Sequence, residues 1–121
     1  MKNFVLMLVF VVLGSHVIAQ DTTNREIVKK GDVYEVTIFH ENGTISQQGQ
    51  YNNQGIVHGV WTSFDLNGNK TAVAQYNNGE KTGTWYFYEG EVLKEVKFSN
   101  SKIAQVITWK EGETQIVSNF E

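Results

Sequence analysis

The sequence predicts an all-β protein, a single-layer antiparallel meander built from about four repeated β-hairpins. From Asp32 onward, residues alternate with a period of two, which indicates half-buried strands, and no helical period of useful length occurs. The chain has 11 glycines and no proline, so its turns depend on residues that tolerate positive φ. A glycine is followed eight residues later by an aromatic residue at four places: Gly43 and Tyr51, Gly68 and Tyr76, Gly90 and Phe98, and Gly112 and Phe120.

Residues 1–19 have the features of a cleavable secretory signal peptide. Lys2 supplies the positive charge, residues 4–13 are apolar, and the segment ends at the small residue Ala19. The apolar run of about ten residues is half of the roughly twenty that a membrane span needs, so an uncleaved anchor helix is the weaker alternative. We expect cleavage after Ala19, a secreted or periplasmic location, and no membrane span after cleavage.

The mature chain is expected to consist of a flexible lead at residues 20–32 and a repeat domain at residues 33–121. The sequence contains no cysteine, so neither disulfides nor lipid attachment through a thiol is available, which fits a bacterial envelope protein. Removing residues 1–19 takes away one of the 10 basic residues, which leaves 9 against 13 acidic residues and a net charge of about −4. Because nucleic-acid binding depends on clustered Lys and Arg, no nucleic-acid partner is expected.

Each hairpin is predicted from two strands rich in β-branched and aromatic residues and from a turn that contains glycine. The strand pairs are expected at residues 33–39 and 44–51, 60–65 and 70–76, 84–88 and 92–98, and 103–109 and 113–120. The turns are expected at Asn42-Gly43, Asn67-Gly68, Glu89-Gly90 and Glu111-Gly112. Residues 52–58, 77–82 and 99–102 are then connecting loops. Such periods are typical of arrays in which each unit buries a face by stacking on the next.

A second spacing supports the same strand assignment and carries a family resemblance. Gly59, Trp61 and Phe64 recur as Gly83, Trp85 and Tyr88, and Ala104, Val106 and Trp109 fill the same positions in the last copy. Residues 51–61 and 76–85 resemble MORN repeats, and more closely the bacterial variant of the antitoxin-component-like family, whose units read roughly as an aromatic residue, Asn-Gly and then Gly-x-Trp. The resemblance extends over residues 34–109 and implies a single-layer meander that serves as a scaffold or a binding module.

The alternation of side chains divides the aromatic residues between the two faces of the sheet. One face is expected to carry Trp61, Ser63, Trp85 and Phe87, and the other Thr62, Phe64, Tyr86 and Tyr88. Most of these rings are expected to hold the sheet together through cross-strand pairs, as are the glycines and aromatic residues of both spacings. The outward-facing remainder, Tyr86, Tyr88 and Trp109, together with His58, is the predicted binding surface.

The sequence predicts no catalytic constellation. His40 and His58 are expected in solvated loops, and a triad drawn from Ser63, His58 and Asp65 is a chance combination. Acidic residues near the third turn, such as Glu89 and Glu95, are expected to be solvated. A nucleotidyltransferase would need a His-x-Gly-His type motif, which the sequence lacks. No enzyme activity, metal or cofactor is therefore predicted.

The function that best fits these features is an exported, non-catalytic module that binds a protein or an envelope glycan, or that serves a structural role. An antitoxin-like or immunity-like protein that binds a toxic partner is the alternative, and an enzyme is a third, disfavoured class. The first and last strands leave open sheet edges, which would allow a homodimer.

Overall fold

The structure, a computed structural model, describes residues 24–110 and 116–120. Within these residues the chain forms ten strands and no helix, and all strands belong to one sheet in which neighbours run antiparallel. The strands are β1 (Arg25–Lys30), β2 (Val33–Phe39), β3 (Ile45–Tyr51), β4 (Val57–Phe64), β5 (Lys70–Asn77), β6 (Glu80–Lys81), β7 (Thr84–Glu89), β8 (Val92–Ser99), β9 (Lys102–Lys110) and β10 (Ile116–Asn119).

The order of the strands in the sheet follows the order of the chain. The sequence of neighbours runs from β10 at one edge to β1 at the other, and β6 pairs with β5 beside this path, so that β5 also pairs directly with β7. The sheet does not close on itself. The predicted all-β, single-layer antiparallel meander is thus confirmed.

The three hairpins whose turns the structure describes lie where the sequence predicts them. They are formed by β2 and β3, by β4 and β5, and by β7 and β8. β9 and β10 also pair antiparallel, but the turn predicted at Glu111-Gly112 lies outside the described residues. The predicted signal peptide at residues 1–19, the start of the lead at residues 20–23 and the last residue, Glu121, lie outside them as well.

The predicted flexible lead at residues 20–32 is wrong in its second half. Arg25–Lys30 forms β1, which pairs with β2 from Arg25 opposite Ile38 to Lys30 opposite Val33. Ile27 lies opposite Val36, so the strand covers the buried centre of β2. Four of its six residues are charged and all six are exposed, as is common for an edge strand. The repeat sheet therefore begins at Arg25.

The three predicted connecting loops are turns of one continuous meander. In the first, the Asn52 N–H donates to Ile56 O at 2.8 Å and the Gly55 N–H donates to Asn52 O at 2.9 Å, and β4 begins directly afterwards. The second contains β6. The third is a two-residue turn at Asn100 and Ser101, whose φ angles of 55° and 66° are those of the tight hairpin turn that suits twisted strands.

The register assigns side chains to two faces, which we call face A and face B. Face A carries Trp61 opposite Ala74 and Trp85 opposite Val96. Face B carries Thr62 opposite Val73 and Tyr86 opposite Glu95. Both faces of the third hairpin are aromatic, as the sequence predicts, because Phe87 lies on face A and Tyr88 on face B.

The tightest packing of the sheet is on face A. Among the described residues, the buried hydrophobic side chains are Val36, 1% exposed, and Val96, 9% exposed. Aromatic rings cover this face, with centroid distances of 5.8 Å for Tyr51 and Trp61, 5.3 Å for Tyr76 and Trp85, and 5.0 Å for Trp85 and Phe98. The aromatic residues that end the first three eight-residue spacings thus contact the tryptophan of a Gly-x-Trp segment.

Each Gly-x-Trp segment makes the same hydrogen bond to an earlier strand, β3 for Trp61 and β5 for Trp85. The Trp61 indole N–H donates to Gln50 O and the Trp85 indole N–H to Gln75 O, both at 3.0 Å. The glycines two residues earlier, Gly59 and Gly83, have φ angles of 78° and 67°, a conformation that other residues adopt only with strain. The Gly-x-Trp spacing therefore reflects a backbone bend at the glycine, which directs the indole N–H of the tryptophan towards a backbone carbonyl.

Candidate functional site

Two of the predicted binding residues lie in one cross-strand row on face B. Tyr88 on β7 and Trp109 on β9 are both opposite Leu93 on β8, so the leucine lies between the two rings. Tyr88 is 37% exposed and Trp109 is 41% exposed, whereas Leu93 is half-buried. The row is an accessible apolar strip that extends over two strand spacings, about 10 Å.

A second row lies directly beside the first. Tyr86 on β7 and Ile107 on β9 are both opposite Glu95 on β8. The Trp109 indole N–H donates to Glu95 Oε2 at 2.7 Å, and a hydrogen bond to a charged acceptor is stronger than one between neutral groups. The carboxylate thereby fixes the orientation of one exposed ring. We call Tyr86, Tyr88 and Trp109 together the aromatic ledge.

His58 is not part of the ledge. It lies on β4 opposite Gln50, and its Nδ1 accepts the Asn78 N–H at 3.0 Å, so it supports the turn before β6. The other histidine of the described residues, His40, is within 3.0 Å of Phe64 O through Nε2 and links the first hairpin to the second. Both side chains are half-buried rather than fully solvated. His40 lies in the first turn as predicted, whereas His58, which was predicted in a connecting loop, lies in β4.

The side chains considered for catalysis do not converge. Glu95 lies on face B, while Glu89, opposite Val92, lies on face A and contacts Lys94 at 4.0 Å. Within residues 24–110 and 116–120, no group of three His, Cys, Asp or Glu side chains could hold a metal ion.

Among the described residues, two side chains have shifted pKa values, and both shifts have structural causes. The Asn69 N–H is the largest influence on Asp65 and, with the Asn67 N–H, lowers the pKa of this carboxyl group below its ordinary value. Burial raises the pKa of Tyr76 above its ordinary value. Asp65 accepts both hydrogen bonds at 2.9 Å within the second hairpin turn, and Tyr76 packs against Trp85. Neither group belongs to the ledge.

The sequence analysis missed a shallow, open depression on face B between β2, β3 and β4. Its polar lining consists of Glu35, Thr37, Gln48, Gln50 and Thr62, and Val36, Gly49 and Val60 complete it. It lies where β3 and β4 separate, because β4 has three residues between His58 and Thr62 where β3 has only Gly49. Gly59 within the Gly-x-Trp segment was the available signal.

The fold and its repeated geometry define the class of protein. The chain forms an open sheet of sequential hairpins. Turns, glycines with positive φ angles and indole hydrogen bonds recur along it, and this repetition defines a β-hairpin repeat protein. The family model of the MORN repeat variant matches residues 35–53 and 57–78. The chain is thus similar to MORN-repeat proteins over these two segments.

Other comparisons add little to this assignment. No curated protein sequence matches the chain at the required significance. One solved structure, titled "Crystal structure of GtfA/B complex bound to UDP and GlcNAc", has 15% sequence identity and a TM-score of 0.40, over 86% of this chain and 25% of that one. This chain thus spans about a quarter of that protein's length, and a likeness at this TM-score supports no inference about function.

The described residues contain no membrane-spanning helix, and the sheet has two open edges. In the part of the chain that the structure describes, no helix is long and apolar enough to cross a membrane. β1 and β10 form the two edges, and the homodimer expected from such open edges stays a prediction.

Proposed function

We propose that this chain is an exported, non-catalytic repeat module that binds a glycan of the cell envelope through the aromatic ledge on face B. The MORN repeats suggest a module with a binding or structural role. The observation that carries the more specific proposal is the row formed by Tyr88, Leu93 and Trp109, in which two exposed rings flank one half-buried aliphatic side chain.

The chemistry of this row suits a sugar chain. The face of an aromatic ring carries partial negative charge, which attracts the polarised C–H groups on one side of a pyranose. The two rings are about 10 Å apart across the strands, a separation comparable to the length of two linked sugar rings. Glu95 lies between Tyr86 and Ile107 in the neighbouring row and can accept hydrogen bonds from sugar hydroxyl groups.

Export is the second part of the proposal and rests on residues 1–19, whose charge and apolar pattern are those of a signal peptide. An envelope location would bring the ledge to the glycan. Fusion of these residues to a reporter that is active only outside the cytoplasm tests export, and N-terminal sequencing of the exported protein should begin at Gln20. A full-length product that retains Met1 would contradict cleavage after Ala19.

The binding experiment compares the wild type with Trp109→Ala and Tyr88→Ala for retention on insoluble peptidoglycan and on soluble polysaccharide. We expect each ledge variant to lose retention by about fivefold or more, since stacking on an aromatic ring accounts for on the order of 1 kcal/mol or more. Ile103→Ala is the matched control, because Ile103 is also exposed and lies on β9 but pairs with Phe98 on face A.

The same variants separate binding from folding and from other functions. Circular dichroism should keep its β-type signal in Trp109→Ala and in Tyr88→Ala. The double variant Tyr86→Ala/Tyr88→Ala should also lose binding and keep this signal. Unfolding of the sheet would show that these rings are core and that the ledge has no binding role. Recovery of one stoichiometric protein from envelope extracts, with no glycan retained, would instead favour the antitoxin-like or immunity-like alternative.

A further inference from the structure

The depression between β2, β3 and β4 results from a difference between the two Gly-x-Trp segments. At the second segment, the Gln75 side chain donates to Thr84 O at 3.2 Å and bridges the separated strands β5 and β7. At the first segment, no corresponding bond in the described residues joins the Gln50 side chain to the backbone of Val60. The first separation therefore remains open on face B, and the depression occupies it.

The lining of the depression is suited to a neutral, hydroxyl-rich ligand. In the described part of the chain, Thr37, Gln48 and Thr62 make no side-chain hydrogen bond to another residue, and all three line the depression. The one charged lining residue, Glu35, is 3.7 Å from the Lys30 ammonium group, and no basic side chain lines the depression. A phosphate or an acidic peptide would therefore find no complementary charge there.

The depression and one residue of the aromatic ledge, Tyr86, belong to one cross-strand row of face B. Gln48 lies opposite Thr62, Thr62 opposite Val73, and Val73 opposite Tyr86. Three strand spacings of about 4.8 Å separate the depression from Tyr86, which gives a distance on the order of 14 Å. No bulky charged side chain interrupts this row between the two sites. A linear ligand could therefore contact both if it crosses the strands.

We propose that the depression is a second subsite, which binds a further sugar unit of an oligosaccharide whose other end lies on the aromatic ledge. This inference rests on the proposed function and adds a preference for ligand length. Gln48 on β3 and Trp109 on β9, which lies in the neighbouring row, are five strand spacings apart, about 24 Å, so a disaccharide covers the ledge alone and a hexasaccharide reaches both sites. Amide and hydroxyl side chains in the depression bind hydroxyl groups of the distant sugar units.

The test measures the affinity of chito-oligosaccharides, from the disaccharide to the hexasaccharide, for the full chain by isothermal titration calorimetry. The variants are Gln48→Ala, Thr62→Val and the double variant, in which valine keeps the shape of threonine but removes its hydroxyl group. We expect each single variant to weaken hexasaccharide binding by about threefold to tenfold, because each removes one hydrogen bond to the ligand. Disaccharide affinity should stay unchanged.

The control is Gln47→Ala, since Gln47 is the adjacent glutamine on β3 but lies on face A opposite Ser63. It should leave the affinity for every oligosaccharide unchanged, and equal weakening by Gln47→Ala and Gln48→Ala would overturn the inference. Unchanged hexasaccharide affinity in the double variant would also overturn the inference of a second subsite. In that case, loss of binding in Trp109→Ala would still support the proposed function of the ledge. If the wild type binds no oligosaccharide of any length, both proposals fail.

Discussion

At the scale of single residues, the Trp61 indole packs closely over Gly49. A Cβ added to Gly49 would overlap the indole atoms Cδ2 and Cε2, so the ring lies directly on the strand. Gly49 is two residues before Tyr51, and Ala74 holds the same position before Tyr76. The interplanar angle is 34° for Tyr51 and Trp61 and 64° for Tyr76 and Trp85.

We predict that Gly49→Ala destabilises the protein by about 1 to 3 kcal/mol, the usual cost of forcing extra atoms into a packed site. The free energy of unfolding is measured by urea denaturation, followed by circular dichroism. A double-mutant cycle with Trp61→Ala provides the control. Once the indole is removed, Gly49→Ala should cost little, and an equal cost in both backgrounds would show that the overlap is not the cause.

Asp65 shows how one side chain organises a hairpin turn. Its Oδ1 accepts the N–H groups of Asn67 and Asn69 at 2.9 Å. Asn52 holds the first connecting turn in the same way, since its Oδ1 accepts the Gln54 N–H at 2.9 Å and the Ile56 N–H at 3.0 Å. An amide oxygen can therefore replace the carboxylate in this geometry, but it does not titrate.

We predict that the stability of the wild type depends on pH through Asp65 and that Asp65→Asn removes this contribution. The pKa of Asp65 is lowered in the folded state, chiefly by the Asn69 N–H. The stabilising effect of its charge is therefore present above the unfolded pKa of about 3.9. It is lost as the pH falls below that value and through the folded pKa.

The measurement is the urea midpoint of both proteins from about pH 5 to about pH 3, a range around the ordinary Asp pKa. The midpoint of the wild type should fall more steeply than that of Asp65→Asn in the acidic half of this range, whereas the two should stay parallel in the upper half. Asp65→Ala is the control for loss of the turn and should be less stable throughout. Identical pH profiles for the wild type and Asp65→Asn would contradict the assignment.

At the scale of elements, turn chemistry made the hairpins predictable. The turns that begin at His40, Asn52 and Asp65 share one pattern, in which the N–H three residues later donates to the carbonyl of the first residue. The residue that donates is a glycine in all three: Gly43, Gly55 and Gly68. The sequence analysis recognised the first and third but placed the second in a loop, because Gln-Gly is a weaker turn signal than Asn-Gly.

Elements that depend on tertiary pairing were not predictable in this way. β1 is mostly charged, and its strand conformation depends on the pairing of Ile27 with Val36. β6 consists of the two exposed residues Glu80 and Lys81, which pair with β5. Local propensity says little about such segments, because neighbouring strands supply their hydrogen bonds.

The candidate site was predictable in part for the same reason. Alternation alone correctly assigned Tyr86 and Tyr88 to one face, because β7 pairs with β8 without a bulge. The contact between Trp109 and Glu95 and the position of Leu93 between the two rings depend on the register between strands, which the sequence does not specify. The depression depends on an irregular separation of two strands and was missed entirely.

At the scale of the whole molecule, the described residues form a linear array of strands without a central core. The buried residues Val36 and Val96 lie on β2 and β8, far apart in the order of the strands. In the described residues, β1–β3 share no register pair with β8–β10. Stability in such an array is roughly a sum of units and of the contacts between neighbours, so damage at one end should remain local.

We therefore predict that Val36→Ala and Val106→Ala have separate effects along the chain. Val36→Ala should lower the local stability of the sheet by about 2 kcal/mol, through lost burial and a small cavity, and amide hydrogen exchange should accelerate in β1–β3 while β8 and β9 keep their protection. Val106 lies opposite Val96 on face A. Val106→Ala should therefore accelerate exchange in β8–β10 and leave the protection of β1–β3 unchanged. Equal loss of protection throughout the sheet in both variants would show one cooperative unit. In that case, a ledge variant could disturb the depression through folding alone, so this measurement also decides whether the two subsites of face B can be varied independently.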